Sequence, residues 1–150
     1  MAHTYCHLMY HTVFSTKCRK PLIQPEMMPE LVKVVGGIIR DRDGRLLAMN
    51  GTSNHVHLLN LFQAKHSVSE MLRDIKAVSS DWVHERFSDS RAFAWQAGYG
   101  CFSVSKSNCG EVEKYIDNQE PHHRRQSFEE ELIALLERHG VEFDRRYVFD

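Results

Sequence analysis

Two short stretches hold residues whose types and spacing could do chemistry: Asn54-His55-Val56-His57-Leu58-Leu59 and Tyr115-Ile116-Asp117-Asn118-Gln119. The first has the composition of a strand. His55 and His57, two apart, would leave the same face of its pleat and could share one metal ion. The second has the pattern of a helix, on which Tyr115 and Gln119, four apart, would stack on one face about 5–6 Å apart at Cβ. Two imidazoles, an amide oxygen and a phenol make a metal site with a nucleophile beside it. Taken singly, none decides the matter. A His-x-His pair is often two polar strand positions, a helical tyrosine usually packs its ring, and a helical glutamine is usually solvated.

The elements around them decide whether the two faces can meet. Residues 3–16 are rich in Tyr, Thr, Val and Phe and alternate as a strand does. His3, His7 and His11 would form a metal stripe on a helix. On a strand they lie about 13 Å apart, and are read as ordinary sheet positions. Pro25 suits the first turn of a helix, and Met28, Leu31, Val32, Val35 and Ile38/Ile39 keep helical period to about Arg42. A strand begins at Leu46–Met49, with Asn50-Gly51 as a hairpin signal and His55 to Phe62 as the next strand. Alternatively the earlier strand runs to Thr52 and the chain turns at Ser53-Asn54. Leu58, Leu59 and Leu61 put the buried part of the second strand beyond the histidine pair, so the imidazoles belong near one end of the sheet.

Ser67 with Glu70 has capping-box spacing and opens an amphipathic helix to about Phe87. Tyr99 to Val104 predicts a fourth strand. Asn108 with Glu111 opens the tyrosine-bearing helix, which Pro121 should stop at about Gln119 or Glu120. Ser127 with Glu130 opens a last helix that carries Leu132, Leu135 and Leu136 and ends at Gly140. The predicted order is β-α-β-β-α-β-α-α. Its first six elements are those of an α+β, ferredoxin-like (split βαβ) antiparallel sheet with two helices. The tyrosine-bearing helix and a final helix follow, all within one domain, residues 1–150.

The chain has 150 residues, 42% hydrophobic and 26% charged, with a formal net charge of -1, an ordinary globular composition without a global positive field. Lys17, Arg19 and Lys20 fall in an N-terminal stretch free of Asp and Glu, while Glu129, Glu130 and Glu131 cluster late. A locally basic face therefore remains open. The four cysteines have no CxxC spacing, which points to free thiols in a reducing compartment. No secretory or membrane-spanning run is legible, and a cytoplasmic protein is expected. The run His122-His123-Arg124-Arg125 reads as a solvated loop or as a phosphate contact.

Taken together, His55-Val56-His57, the Tyr115/Gln119 helix and the phrase Gly98-Tyr99-Gly100-Cys101-Phe102-Ser103-Val104-Ser105 resemble the single-tyrosine HUH (His-hydrophobic-His) transposases. These are the small insertion-sequence and REP-associated tyrosine transposases. The resemblance runs from Tyr10-His11-Thr12-Val13-Phe14-Ser15-Thr16-Lys17 to Gly140-Val141-Glu142-Phe143-Asp144. It implies that His55 and His57 are metal ligands with Gln119 as the third, and that Tyr115 is the nucleophile. Such a tyrosine attacks a DNA phosphorus, leaving a 5′-phosphotyrosine and a free 3′-OH. Phenolate suits both attack and departure, and a neutral ligand set leaves a divalent ion, Mg2+ or Mn2+, its Lewis acidity.

The resemblance further implies single-stranded DNA with hairpin ends as substrate, and a homodimer whose tyrosine helix acts in cis or in trans. Lys17, Arg19, Lys20, Arg73, Lys76, Lys106, Arg124 and Arg125 are the candidate DNA-binding residues. Two other readings stand beside it: a non-catalytic nucleic-acid-binding module on the same fold, and a zinc hydrolase using His55, His57 and another histidine such as His122. Two residues fit less well. Pro121 follows Gln119 closely enough to fray the helix end, and Asn60 puts a polar side chain in an apolar strand.

Overall fold

The computed structural model describes residues 3–149. Its strands are β1 (Met9–Ser15), β2 (Arg45–Gly51), β3 (His55–Leu61) and β4 (Gly100–Ser103). Its helices are α1 (Met27–Arg40), α2 (Val68–Arg86), α3 (Cys109–Asp117), α4 (Gln119–His123) and α5 (Phe128–Arg138). The strands form one sheet in the order β2-β3-β1-β4, every neighbouring pair antiparallel. This is the expected split βαβ arrangement, α+β with two helices on one face of the sheet. Further helices follow β4.

The period of two along β1 and β3 sorts their residues onto two layers. Phe14, Val56 and Leu58 face α1 and α2, where they bury with Leu31, Val35, Met71 and Ile75. The alternate residues point the other way. Val13 packs with Phe128, Leu132, Leu135 and Leu136 of α5, and Met9 and Leu59 pack with Ile116 of α3. His11, His55 and His57 share this second face, all buried. Both faces of the central strands are therefore covered, and the imidazoles lie between the sheet and the C-terminal helices.

Local chemistry explains most element ends. Ser67 accepts from the Glu70 amide at 3.1 Å, and Ser127 from the Glu130 amide at 3.1 Å, as two of the three expected caps predict, whereas the Asn108 side chain makes no cap bond at α3. Gly140, at φ 65, sits just past α5. Its amide bonds to Glu137 O at 3.2 Å and that of Val141 to Leu136 O at 3.0 Å, the pattern that closes a helix through a left-handed residue. Helix α1 begins at Met27, later than Pro25. Pro29 then lies in its first turn, where a missing N–H is tolerated.

Three expectations are revised. β1 starts only at Met9, and His3 and His7 are exposed ahead of it, so His11 alone of that series belongs to the sheet. β2 runs through Asn50-Gly51 and the chain bends at Ser53-Asn54, as the alternative reading of this hairpin had it. Helix α3 ends at Asp117, and Asn118 (φ -99, ψ 25) separates it from α4. Tyr115 and Gln119 therefore lie on two helices, with Pro121 in the first turn of the second.

Asn60 also finds a place. Its Oδ1 accepts from Thr12 Oγ1 at 2.9 Å across the buried β1–β3 ladder. The Asn60 Nδ2 has no partner among the described residues, and the structure gives no reason for it.

Candidate metal and tyrosine site

His55 and His57 project from β3 toward the C-terminal helices and are fully buried. The β2–β3 turn orients His55. Its Nδ1 meets Asn54 Oδ1 at 2.8 Å and Thr52 Oγ1 at 2.9 Å, while Thr52 Oγ1 donates its own hydrogen to Asn54 Oδ1 at 3.1 Å. Nδ1 thus carries the ring hydrogen and Nε2 presents a lone pair to the interior. Phe128 stacks on the ring at 4.6 Å between centroids and holds its plane. His57 is oriented by β1: His11 Nε2 donates to His57 Nδ1 at 2.7 Å, and His57 Nε2 donates to Glu131 Oε1 at 2.8 Å.

Glu131, from the first turn of α5, is the centre of the cluster and is 1% exposed. Its Oε1 also accepts from His123 Nε2 at 2.9 Å and lies 3.5 Å from His55 Nε2. Its Oε2 accepts from the Tyr115 hydroxyl. Donor atoms of His55, His57, His123 and Glu131 all lie within 4.8 Å of one another. Gln119 is also buried; its Oε1 is 3.3 Å from His55 Nε2 and its Nε2 donates to Tyr115 O at 3.3 Å. The Nε2 lone pair of His55 therefore faces two oxygens, an arrangement that a cation between them relieves. The residues fit a divalent ion of borderline softness.

The electrostatics follow from burial. Desolvation, with the neighbouring His57, pushes His11 down to about 3, and desolvation pushes His57 down to about 4. Both rings are neutral at pH 7, as metal ligation requires. Burial alone would raise the Glu131 carboxyl, but hydrogen bonds from the imidazoles, His123 first, hold it well below the usual carboxylate range. Burial and then the Glu131 carboxylate push the Tyr115 phenol above its ordinary value. Without positive charge at the centre, that phenol keeps its proton.

Tyr115 is half-buried. Its ring lies 5.8 Å from that of His57 and 5.9 Å from that of His11, and His122 Nε2 is 3.4 Å from its oxygen. A cleft of about 300 Å³ opens beside the tyrosine, with Ser103, Asn108, Arg138 and His139 in its wall.

The family description "Transposase IS200 like" matches residues 4–119. The chain belongs to the IS200-like transposases. It is 31% identical over 129 residues to the transposase for insertion sequence element IS200 of Salmonella typhimurium, covering 79% of this chain and 81% of that relative. The ISDra2 transposase TnpA of Deinococcus radiodurans is 20% identical over 117 residues, covering 75% and 84%. Two solved structures share the fold. One is a candidate transposase from Deinococcus radiodurans R1, with a TM-score of 0.62 at 22% identity, covering 79% of this chain and 96% of that one. The other is a REP-associated tyrosine transposase bound to a REP hairpin, with a TM-score of 0.57 at 14% identity, covering 79% and 70%.

In this IS200-like transposase the structure brings His55, His57, Gln119 and Tyr115 together. It adds His11, His123 and Glu131, which the sequence reading left among sheet positions, loop residues and surface acids. Of the adjacent pair, His123 joins the metal-type cluster, while His122 lies against Tyr115. The signal for Glu131 is its spacing: with Phe128, Leu132 and Leu135 it shares the apolar face of α5, where a carboxylate needs a buried partner.

The basic residues divide. Lys17, Lys20, Lys106 and Arg125 are exposed. Arg19 pairs with Glu129 at 2.8 Å and donates to Phe149 O at 2.9 Å, Arg73 lies 3.3 Å from Asp74, and Arg124 lies 3.9 Å from Glu120. Lys76 donates to Gln96 O at 3.0 Å and Gly98 O at 2.6 Å, and burial pushes it down to about 8. It ties the loop before β4 to α2. No helix of the described residues is long and apolar enough to cross a membrane.

Proposed function

We propose that this transposase cleaves and rejoins single-stranded DNA through a 5′-phosphotyrosine on Tyr115, with His55, His57 and Gln119 as ligands of a divalent ion, Mg2+ or Mn2+. One observation carries the reading: a single buried carboxylate, Glu131, touches His57 with one oxygen and Tyr115 with the other. The histidine pair and the phenol thus converge on one carboxylate, which supports a shared site. When bound there, the ion would polarise the scissile phosphate and offset charge in an in-line displacement.

The chain's own residues do the rest. Tyr115 Oη bonds to phosphorus as the P–O3′ bond breaks, and the departing 3′ oxygen takes up a proton as the phenol loses its own. The β2–β3 turn and His11 orient the two imidazoles. The cleft beside Tyr115, with Arg138 in its wall, offers the DNA strand an approach, and exposed Lys17, Lys20, Lys106, Arg124 and Arg125 are suited to phosphate contacts. Arg19, Arg73 and Lys76 would have to give up their present partners to do the same. Hairpin-ended DNA is the substrate class, in keeping with the hairpin held by the REP-associated relative.

Tyr115 stands beside His11 and His57 of the same chain, the arrangement that action in cis needs. A homodimer would then bring two complete sites together for joining two DNA ends, each chain acting as one transposase domain in the cytoplasm.

The test is incubation with labelled single-stranded DNA carrying a hairpin and its flanks, with Mn2+ or Mg2+. A covalent protein–DNA adduct on denaturing gels is expected from the wild type and none from Tyr115→Phe. Unchanged cleavage by Tyr115→Phe would overturn the mechanism.

A further inference from the structure

We propose that the cleft between α3 and α5 holds one guanine nucleotide of the single strand beside the scissile phosphate, and that Glu111 selects the base. The proposal rests on the reading that Tyr115 cleaves single-stranded DNA, and it names what the cleft recognises. Asn108 at the head of α3, then Glu111 and Tyr115, stand at i, i+3 and i+7, and all three line the cleft. Seven helical residues rise about 10 Å, so the row runs from the nucleophile outward over the span of a sugar and its base. Leu135 and Arg138 of α5, with His139 at its end, supply the other wall. The volume of about 300 Å³ suits a single nucleotide.

The polar groups of this cleft are not spent on one another. Among the described residues Glu111 and Arg138 form no ion pair, either together or with any other group, and the Asn108 side chain makes no cap bond. Arg138 is near enough to Tyr115 for its charge to oppose the rise that burial and Glu131 cause in the phenol. A guanidinium thus stands where a backbone phosphate must pass. A carboxylate on the same path repels phosphates and weakens the binding of any strand. That cost is offset when the carboxylate accepts hydrogen bonds from a base, and a repulsive group that the right base relieves is a means of specificity.

The chemistry of the acceptor decides the base. An unpaired base offers its Watson–Crick edge. Guanine carries two adjacent donors there, N1–H and the N2 amino group, which match both oxygens of a carboxylate, and its O6 accepts from an amide such as that of Asn108. Adenine and cytosine set a ring-nitrogen acceptor beside their one amino group, and thymine flanks N3–H with two carbonyls. Each of these three turns a lone pair toward Glu111. Val104, Val112 and Leu135 supply apolar surface for the base. The His139 ring, stacked on Phe102 at 4.5 Å between centroids and donating from Nδ1 to Leu135 O at 2.8 Å, is fixed before any strand arrives.

The experiment selects DNA by binding to Tyr115→Phe in Mn2+. The probe is single-stranded DNA with one hairpin and randomised nucleotides on both flanks, and the bound and free fractions are sequenced. Expected is one flanking position enriched in guanine by about fivefold or more. Adding Glu111→Gln should abolish that preference and leave other sequences bound equally or more tightly, because a repulsive charge is gone. Adding Arg138→Gln should weaken all sequences alike and reduce the slope of log affinity against log salt by about one. Both residues are exposed, and circular dichroism checks that each variant folds. No enriched position, enrichment of another base, or guanine enrichment that survives Glu111→Gln overturns the proposal. A wild-type adduct formed without base preference also overturns it and leaves the tyrosine mechanism standing. Guanine-selective binding without any wild-type adduct upholds the pocket and sinks the mechanism instead.

Discussion

His11 Nε2 reaches His57 Nδ1 at 2.7 Å, and this contact governs which nitrogen of His57 can serve a cation. With Nε2–H on Glu131, Nδ1 accepts from His11. A cation on Nε2 would move that hydrogen to Nδ1, where His11 Nε2 is placed to accept it. His11→Phe removes the acceptor but keeps the bulk, so Mn2+ affinity should fall by about tenfold or more, read by chelator competition. Acid stability follows from the same rings. Burial holds His11 at about 3 and His57 at about 4, whereas unfolded they take up protons near pH 6.5. Below that pH the unfolded chain binds more protons than the folded one. The contribution is therefore fully present above about pH 6.5 and is lost as pH falls. Between pH 6.5 and 5 each ring removes at most about 2 kcal/mol. Urea midpoints measured in chelator should drop from pH 7 to pH 5, and drop less in His11→Phe.

At the level of elements, the β2–β3 hairpin and the start of α5 hold the donors. Gly51 ends β2 where a Cβ would lie 2.1 Å from His55 O and 2.9 Å from Val56 Cα, closer than any side chain permits. Gly51→Ala must push the hairpin apart beside His55. A loss of about 1–3 kcal/mol in urea unfolding is expected, together with weaker Mn2+ binding. Ser127 caps α5, one turn from Glu131, and Ser127→Ala should cost about 1 kcal/mol by the same measurement. These elements were legible because their signals are local. Alternation put His55 and His57 on one face, and serine with glutamate three residues on marked the starts of α2 and α5. The break at Asn118 was not legible. Pro121 announced a disruption, but a proline is accepted in the first turn of a new helix as readily as it ends an old one, so the helix stopped earlier and restarted. Gln119 still reaches His55, from α4.

Across the whole molecule, the site exists because one sheet is covered on both faces. α1 and α2 bury one face, and α3 and α5 meet over the other with the imidazoles beneath their junction. No local pattern announces such a meeting. Glu131 reads as one of three surface acids until Phe128, Leu132 and Leu135 seat α5 against β1 and β4, and His123 reads as a loop residue until α4 turns it inward. α3 packs on β2 and β3 of its own chain through Ile116 and Leu59, and the Tyr115 it places beside Glu131 is that chain's own. The proposed nucleophile and metal ligands should therefore work only when one chain carries both. Mixing Tyr115→Phe with His57→Ala, each inactive alone, tests this on hairpin-bearing DNA. Action in cis predicts no covalent adduct in the mixture at any ratio. An adduct restored toward a quarter or more of the wild-type level would mean that tyrosine helices are exchanged between subunits, and that the packing of α3 on its own sheet is not the arrangement that cleaves.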